Sequence, residues 1–151
     1  MTNTSAITDE GPIGYKLIDG SFVDATFSAH ASIGGATGSM QSIGRDLLSF
    51  ADALGDGTLL SPGSQSAMQA FVPGEDYSQF GIVHGYGLGL EQYSNAAITV
   101  IGHMGTGEAQ SAFVGYDAER GTAVAVMTNT ANPGPQALMA IEALIAVGEA
   151  A

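Results

Sequence analysis

From about Ile82 onward the apolar residues of this chain fall into a period of two, and this rhythm limits the possible architectures more than any other feature of the sequence. Runs at roughly 82–93, 96–103, 109–117 and 121–128 predict three or four strands, the last turn being Asp117-Ala118-Glu119-Arg120-Gly121. Strands joined by such short turns form an antiparallel meander. Thr122 to Met127 is almost wholly apolar, as expected of a central strand covered on both faces. Pro133-Gly134-Pro135 stops the sheet, and Leu138, Ile141, Leu144 and Ile145 then define a final helix. Its only charge before the end is Glu142, so most of its surface is expected to be packed.

Ahead of the sheet the signals are local. Residues 1–12 are polar, end in Gly11-Pro12 and read as an entry loop. Asp19-Gly20 between two apolar-containing runs, 13–18 and 21–26, predicts a β-hairpin. Residues 27–41 are rich in Ser, Ala and Gly and read as a loop. Ser42 then offers an N-cap to a helix whose face carries Ile43, Leu47, Phe50 and Leu54, with Gly55 closing it. Ser61-Pro62 repeats the grammar of a cap followed by proline at the first helical position, and predicts a shorter helix to about Phe71. With no repeat and no long linker, residues 1–151 read as one domain.

Composition narrows the partners. Fifteen acids against Lys16, Arg45 and Arg120 give a net charge of −12, which repels phosphate backbones and anionic lipid, so neither nucleic acid nor a membrane surface is expected. The absence of cysteine excludes disulfides, thiol catalysis and thiolate metal sites. No apolar run approaches the roughly 18 residues of a membrane helix, and the N-terminus lacks the pattern of a signal peptide, which leaves localisation open.

The stretch most suited to chemistry is Ile101-Gly102-His103-Met104-Gly105-Thr106-Gly107-Glu108. It places a titratable imidazole at the expected end of a β-branched strand. Its glycines leave backbone N–H groups approachable, which is how oxyanion and anion sites are commonly built. Other patterns fail. There is no Gly-x-Ser-x-Gly, no P-loop lysine, and Gly85-Tyr86-Gly87-Leu88-Gly89 is not followed by the helix a dinucleotide loop requires. His30, His84 and His103 lack short-range ligand spacing, so neither a metal nor a cofactor is expected.

The order of several blocks carries a resemblance. Gly34-Gly35-Ala36-Thr37-Gly38-Ser39-Met40-Gln41-Ser42-Ile43-Gly44-Arg45-Asp46-Leu47-Leu48-Ser49-Phe50 comes first, followed by Leu59-Leu60-Ser61-Pro62, Tyr86-Gly87-Leu88-Gly89 and Gly102-His103-Met104-Gly105. With Val124-Ala125-Val126-Met127-Thr128-Asn129 at the end, this series resembles the serine β-lactamase-related family of class C β-lactamases, D-alanyl-D-alanine carboxypeptidases and esterases.

The resemblance implies an α+β fold: a partial β-lactamase/transpeptidase-like domain, with an antiparallel sheet and a packed C-terminal helix. It implies a Lys/His-x-Gly motif at His103-Met104-Gly105, with the N–H at Thr106 as one oxyanion donor and Met104 at the position that contacts substrate. Peptidases and β-lactamases of the family usually carry a hydroxyl where Met104 stands, which shifts the reading toward an esterase-like relative acting on a small ester, amide or peptide. The family nucleophile, the serine of Ser-x-x-Lys, has no counterpart: Lys16 has Ile13 three residues before it. Tyr93-Ser94-Asn95 matches the second family motif in letters, but ten residues before His103 it reads as part of a hairpin turn.

The chain is therefore expected to be the C-terminal part of a longer hydrolase, inactive alone, whose N-terminal portion supplies nucleophile and base; full-length relatives are often exported. An uncovered sheet edge and apolar face would follow, and with them self-association. Two alternatives stand beside this: a non-catalytic binding or regulatory module on the same scaffold, and a small hydrolase using Ser39 or Ser42 with His103.

Overall fold

Asp19 and Gly20 both take positive φ, 49° and 79°, and so form the two-residue turn that matches the twist of a hairpin. They join β1 (Tyr15–Ile18) to β2 (Ser21–Asp24), with Ile18 opposite Ser21. A computed structural model describes residues 12–28, 31–38, 40–117, 119–131 and 135–150 of the chain. The expected entry loop up to Gly11, together with His30, Ser39, Ala118, Pro133 and Gly134, lies outside the described residues. Within the stretch expected as a loop, Ala31–Thr37 forms tight 3-10 turns that kink at Gly35 (φ 52°).

The rest is a six-stranded antiparallel meander, β3 (Val72–Pro73), β4 (Val83–Tyr86), β5 (Glu91–Ser94), β6 (Thr99–Thr106), β7 (Ser111–Asp117) and β8 (Thr122–Thr128), paired in that order. Among the described residues three α-helices accompany it: α1 (Gly44–Gly55), α2 (Pro62–Met68) and α3 (Pro135–Ala150). α3 lies on one face against β6, β7 and β8, and α1 on the other against β7 and β8. Strand alternation sorts the core accordingly. Tyr93, Val100 and Phe113 pack with Ala137, Ala140, Ile141 and Leu144 of α3. Ile101 and Tyr116 pack on the opposite face with Leu54, Leu90, Leu60 and Met68. The fold is the expected α+β arrangement, an antiparallel sheet with a packed C-terminal helix.

Several local expectations are corrected. The run 82–93 is two strands: Gly87 and Gly89 (φ 70°) turn the chain within it. A Cβ at Gly87 would overlap the Met68 carbonyl, so the turn closes against the end of α2. Ser42 does not cap α1. The cap position is Ile43, extended and without a side-chain hydrogen bond, and Asp46 in the first turn complements the helix dipole instead. Gly55 ends α1 for a packing reason, since a Cβ there would stand 2.8 Å from the Tyr116 ring, and the left-handed reversal falls at Gly57. α2, with Ser61 accepting from the Ser64 N–H, stops at Met68 rather than Phe71.

β8 is the outer strand of the sheet, not a central one; α1 and α3 cover its two faces, which accounts for its apolar composition. α3 buries one face only, leaving Met139 and Val147 exposed. The predicted α1 stripe is likewise part-covered: Leu54 is buried, whereas Ile43 is 61% exposed and Phe50 51%.

Candidate active site

The geometry begins with a difference in strand length. β5 pairs with β6 only as far as Glu91 opposite Gly102, whereas β7 continues beside β6 to Thr106 opposite Ser111. Residues 103–106 therefore overhang β5, and among the described residues no strand lies beside that side of their backbone. The Met104 N–H points into this notch and donates to the Glu91 carboxylate at 2.9 Å. Backbone N–H groups alternate in direction along a strand, so the Thr106 N–H points into the same notch one step further out. Thr106 is exposed there, and no atom lies within 4 Å of where a Cβ on Gly105 would stand. An approachable backbone and an outward donor are thus side by side.

His103 lies in the middle of β6, not at a strand end as expected, and is half-buried. Its Nδ1 is 2.6 Å from the Met104 carbonyl oxygen, which can only accept, so Nδ1 carries the proton. Nε2 is left as the acceptor and takes the Tyr86 O–H at 3.0 Å, with the two rings edge to face. The imidazole is thereby fixed in tautomer and orientation by its own strand and by β4.

On the other face of β6 the Glu91 carboxylate, buried, also accepts from Tyr93 at 2.7 Å. Burial and this carboxylate hold the Tyr93 phenol far above its ordinary range. One acid thus serves as the partner that β5 no longer provides and ties β6 to the core.

His103, Gly105 and Thr106 are brought together on the overhang. The Met104 side chain is not with them: it packs toward the α3-side core, and adjacent strand residues point to opposite faces. Beneath His103 lies an apolar cavity of about 200 Å³, lined by Phe50, Leu54, Leu60, Ile101 and Tyr116 among others. Tyr93-Ser94-Asn95 is core and turn: Tyr93 is fully buried, and the Asn95 side chain accepts the N–H groups of Ala97 and Ile98. His84 is a core residue, its Nδ1 accepting from the Glu75 N–H and its ring against Tyr77 and Tyr93. Among the described residues no cluster of three or more acids and histidines could hold a metal ion.

Tyr86 and Glu91 escape the sequence reading. For Glu91 a signal exists: it shares the alternating inward face of its strand with Tyr93, and a carboxylate on that face must find donors. For Tyr86 nothing in its own run points to His103, because the pairing arises across two neighbouring strands.

The profile of the Beta-lactamase family matches residues 4–149. No curated protein matches the chain. Among solved structures, it is similar to a D-stereospecific amidohydrolase from a Streptomyces species, with a TM-score of 0.72 and 27% identity, over 85% of this chain and 38% of that one. The D-amino acid amidase of Ochrobactrum anthropi SV3, complexed with L-phenylalanine amide, gives 0.67 and 28% over 78% of this chain and 34% of the amidase. The same amidase with L-phenylalanine gives 0.70 and 26% over 94% and 40%. The chain thus spans no more than 40% of the length of these structures. A family profile that runs from Thr4 to Glu149, on an antiparallel sheet carrying His103-Met104-Gly105 on its overhanging strand, leaves one conclusion: this chain belongs to the beta-lactamase family.

Proposed function

We propose that the chain works as the C-terminal portion of a serine hydrolase that cleaves small amides or esters through an acyl-serine. The β6 overhang carries this reading. When a nucleophile attacks a carbonyl, negative charge develops on its oxygen, and a donor already fixed on a strand stabilises that charge without reorganising. The Thr106 N–H is such a donor, Gly105 lets the substrate backbone approach it, and His103, held by Met104 and Tyr86, forms the adjoining wall. Loss of one such donor costs about 10²–10³ in rate. The neighbouring structures, named as amidases and an amidohydrolase, favour amides of amino acids over other acyl compounds.

The nucleophile and its base come from outside this sequence, since its one lysine, Lys16, has no serine three residues before it. The isolated chain is expected to give no burst with a nitrophenyl ester or a β-lactam. A protein in which an upstream segment carrying Ser-x-x-Lys is joined to it is expected to give a burst equal to the enzyme present. A burst from the isolated chain would overturn the reading. The missing Ser-x-x-Lys also favours a second reading, a non-catalytic binding or regulatory module, which a joined protein that folds yet never acylates would support. A small hydrolase built on Ser42 has little support, because that hydroxyl lies over the carbonyl of Ile43.

A further inference from the structure

We infer that β1 clamps the turn between β6 and β7, so that Gly14 and Lys16 act as positioning residues for the Thr106 N–H; the part of this that concerns catalysis rests on the hydrolase reading above. Two turns of the chain differ in what holds them. Asp19-Gly20 keeps its own shape, because both residues take the positive φ that suits a two-residue turn. The turn after β6 also has two central residues, Glu108 and Ala109, and is closed by a hydrogen bond from the Gly107 N–H to the Gln110 carbonyl at 2.8 Å. Neither central residue is glycine and neither has a positive φ, so nothing in the pair itself matches the turn to the twist of its strands.

The N-terminal hairpin takes hold of both. Gly14, just ahead of β1, lies so close to Ala109 that a Cβ on it would stand 2.6 Å from the Ala109 Cβ and 2.7 Å from the Ala109 carbonyl oxygen. Two residues on, Lys16 pairs with the Glu108 carboxylate at 2.6 Å. Ala109 is buried, although it stands at the tip of a turn. The hairpin is itself anchored elsewhere. The Gly14 N–H donates to the buried Thr26 hydroxyl at 2.9 Å, and the Gly14 carbonyl accepts from the Ala25 N–H at 2.8 Å. Tyr15, between the two holding residues, donates to the Asn129 carbonyl at 2.8 Å and accepts from the Ala131 N–H at 3.0 Å. β1 is thus fixed to the chain beyond β8 and grips the turn from there.

The grip bears on the donor through the ladder. Thr106 stands opposite Ser111 with its N–H directed away from β7, so its direction is set by the pairs on either side, Gly105 with Ala112 and Gly107 with Gln110. The second of these closes the turn, and holding Glu108 and Ala109 holds it.

Amide NMR spectra and hydrogen exchange of the chain test the clamp. Gly14→Ala wedges β1 away from Ala109, and the Gly107 N–H is expected to exchange about tenfold faster or more. Lys16→Met, at an exposed position, keeps the stem and loses only the ion pair; it is expected to speed the same exchange by up to about fivefold, with Lys16→Arg close to the original chain. The Thr106 and Gly107 resonances are expected to move in Gly14→Ala and Lys16→Met, while those of His103 and Val114, deeper in the same ladder, stay. A Thr106 resonance that moves in neither variant would overturn the inference. So would exchange that rises equally at His103 and Val114, which marks general loosening, or a Lys16→Arg chain that behaves as Lys16→Met does. Every readout is taken without substrate, so the clamp and the hydrolase reading can each fail without the other.

Discussion

Gly102 and Gly105 flank His103 in similar sequence surroundings, yet their environments differ so much that substituting alanine at each tests the β6–β7 packing directly. Neither has a positive φ, so backbone conformation is not at issue. A Cβ on Gly102 would overlap the Val114 carbonyl oxygen and stand 2.6 Å from the Gly115 Cα, both main-chain atoms of the paired strand. Flexible side-chain ends can step aside, but a strand cannot move without disturbing its ladder. Overpacking of this kind costs about 1–3 kcal/mol. Weakening the adjacent His103–Val114 pair adds about 1 kcal/mol for each hydrogen bond lost. We therefore expect Gly102→Ala to destabilise the chain by about 3–5 kcal/mol. At about 2–4 °C per kcal/mol for a domain of this size, that lowers Tm by roughly 6–20 °C. Gly105→Ala meets open space and is expected to be neutral, or stabilising by up to about 1 kcal/mol through the lost entropy of glycine. Thermal unfolding followed by circular dichroism, with urea titration for the free energies, measures both. Equal shifts for the two variants would refute the close approach of β6 and β7.

Two further outcomes follow from the buried hydrogen bonds and tyrosines. Glu91→Leu removes the acceptor of both Tyr93 and Met104, and is expected to cost about 1–3 kcal/mol for each stranded donor; Glu91→Gln, which keeps one carbonyl oxygen, is expected to lose less. Amide exchange at Met104 should rise in both variants, and unchanged protection would remove Glu91 from its proposed bracing of β6. Burial raises the phenols of Tyr77, Tyr93 and Tyr116 above their ordinary value, the Glu75 and Glu91 carboxylates adding to it for Tyr77 and Tyr93. The folded state then holds those protons more tightly than the unfolded state, so the stability they contribute is intact below about pH 10 and is lost as pH rises beyond it. Urea midpoints should accordingly fall above about pH 10, and a midpoint that stays level to pH 11 would contradict this.

The readable parts of the sequence were those whose cause is local. Asp19-Gly20 encodes its turn in two residues, Ser61-Pro62 opens α2 by its own chemistry, and the two-residue period between Thr99 and Thr128 is a property of each strand alone. The misplaced features depend on contacts distant in sequence. Glycines at 87 and 89 interrupt a run that otherwise keeps its alternation, and what makes them a turn is the Met68 carbonyl beside Gly87. His103 moves from strand end to strand middle because β7 supports β6 as far as Thr106, which the glycines of β6 do not announce. β8 has the composition of an inner strand while standing at the edge, since two helices supply the cover that neighbouring strands would otherwise provide. In the site, the His-x-Gly letters located the strand but not Tyr86, Glu91 or the overhang, all of which depend on how far β5 extends.

The strand order has a consequence for how the chain folds. Every strand from β3 to β8 pairs with the next one in sequence, so the sheet can grow one hairpin at a time with short loops to close, a topology associated with faster folding. The notch around His103 draws on β5, β6 and β7, close in sequence, whereas joining Tyr15 to Asn129 closes a loop of more than a hundred residues. That long-range contact links the N-terminal hairpin to the end of the sheet, and a variant that breaks it is expected to leave β6 in its pairing with β5 and β7.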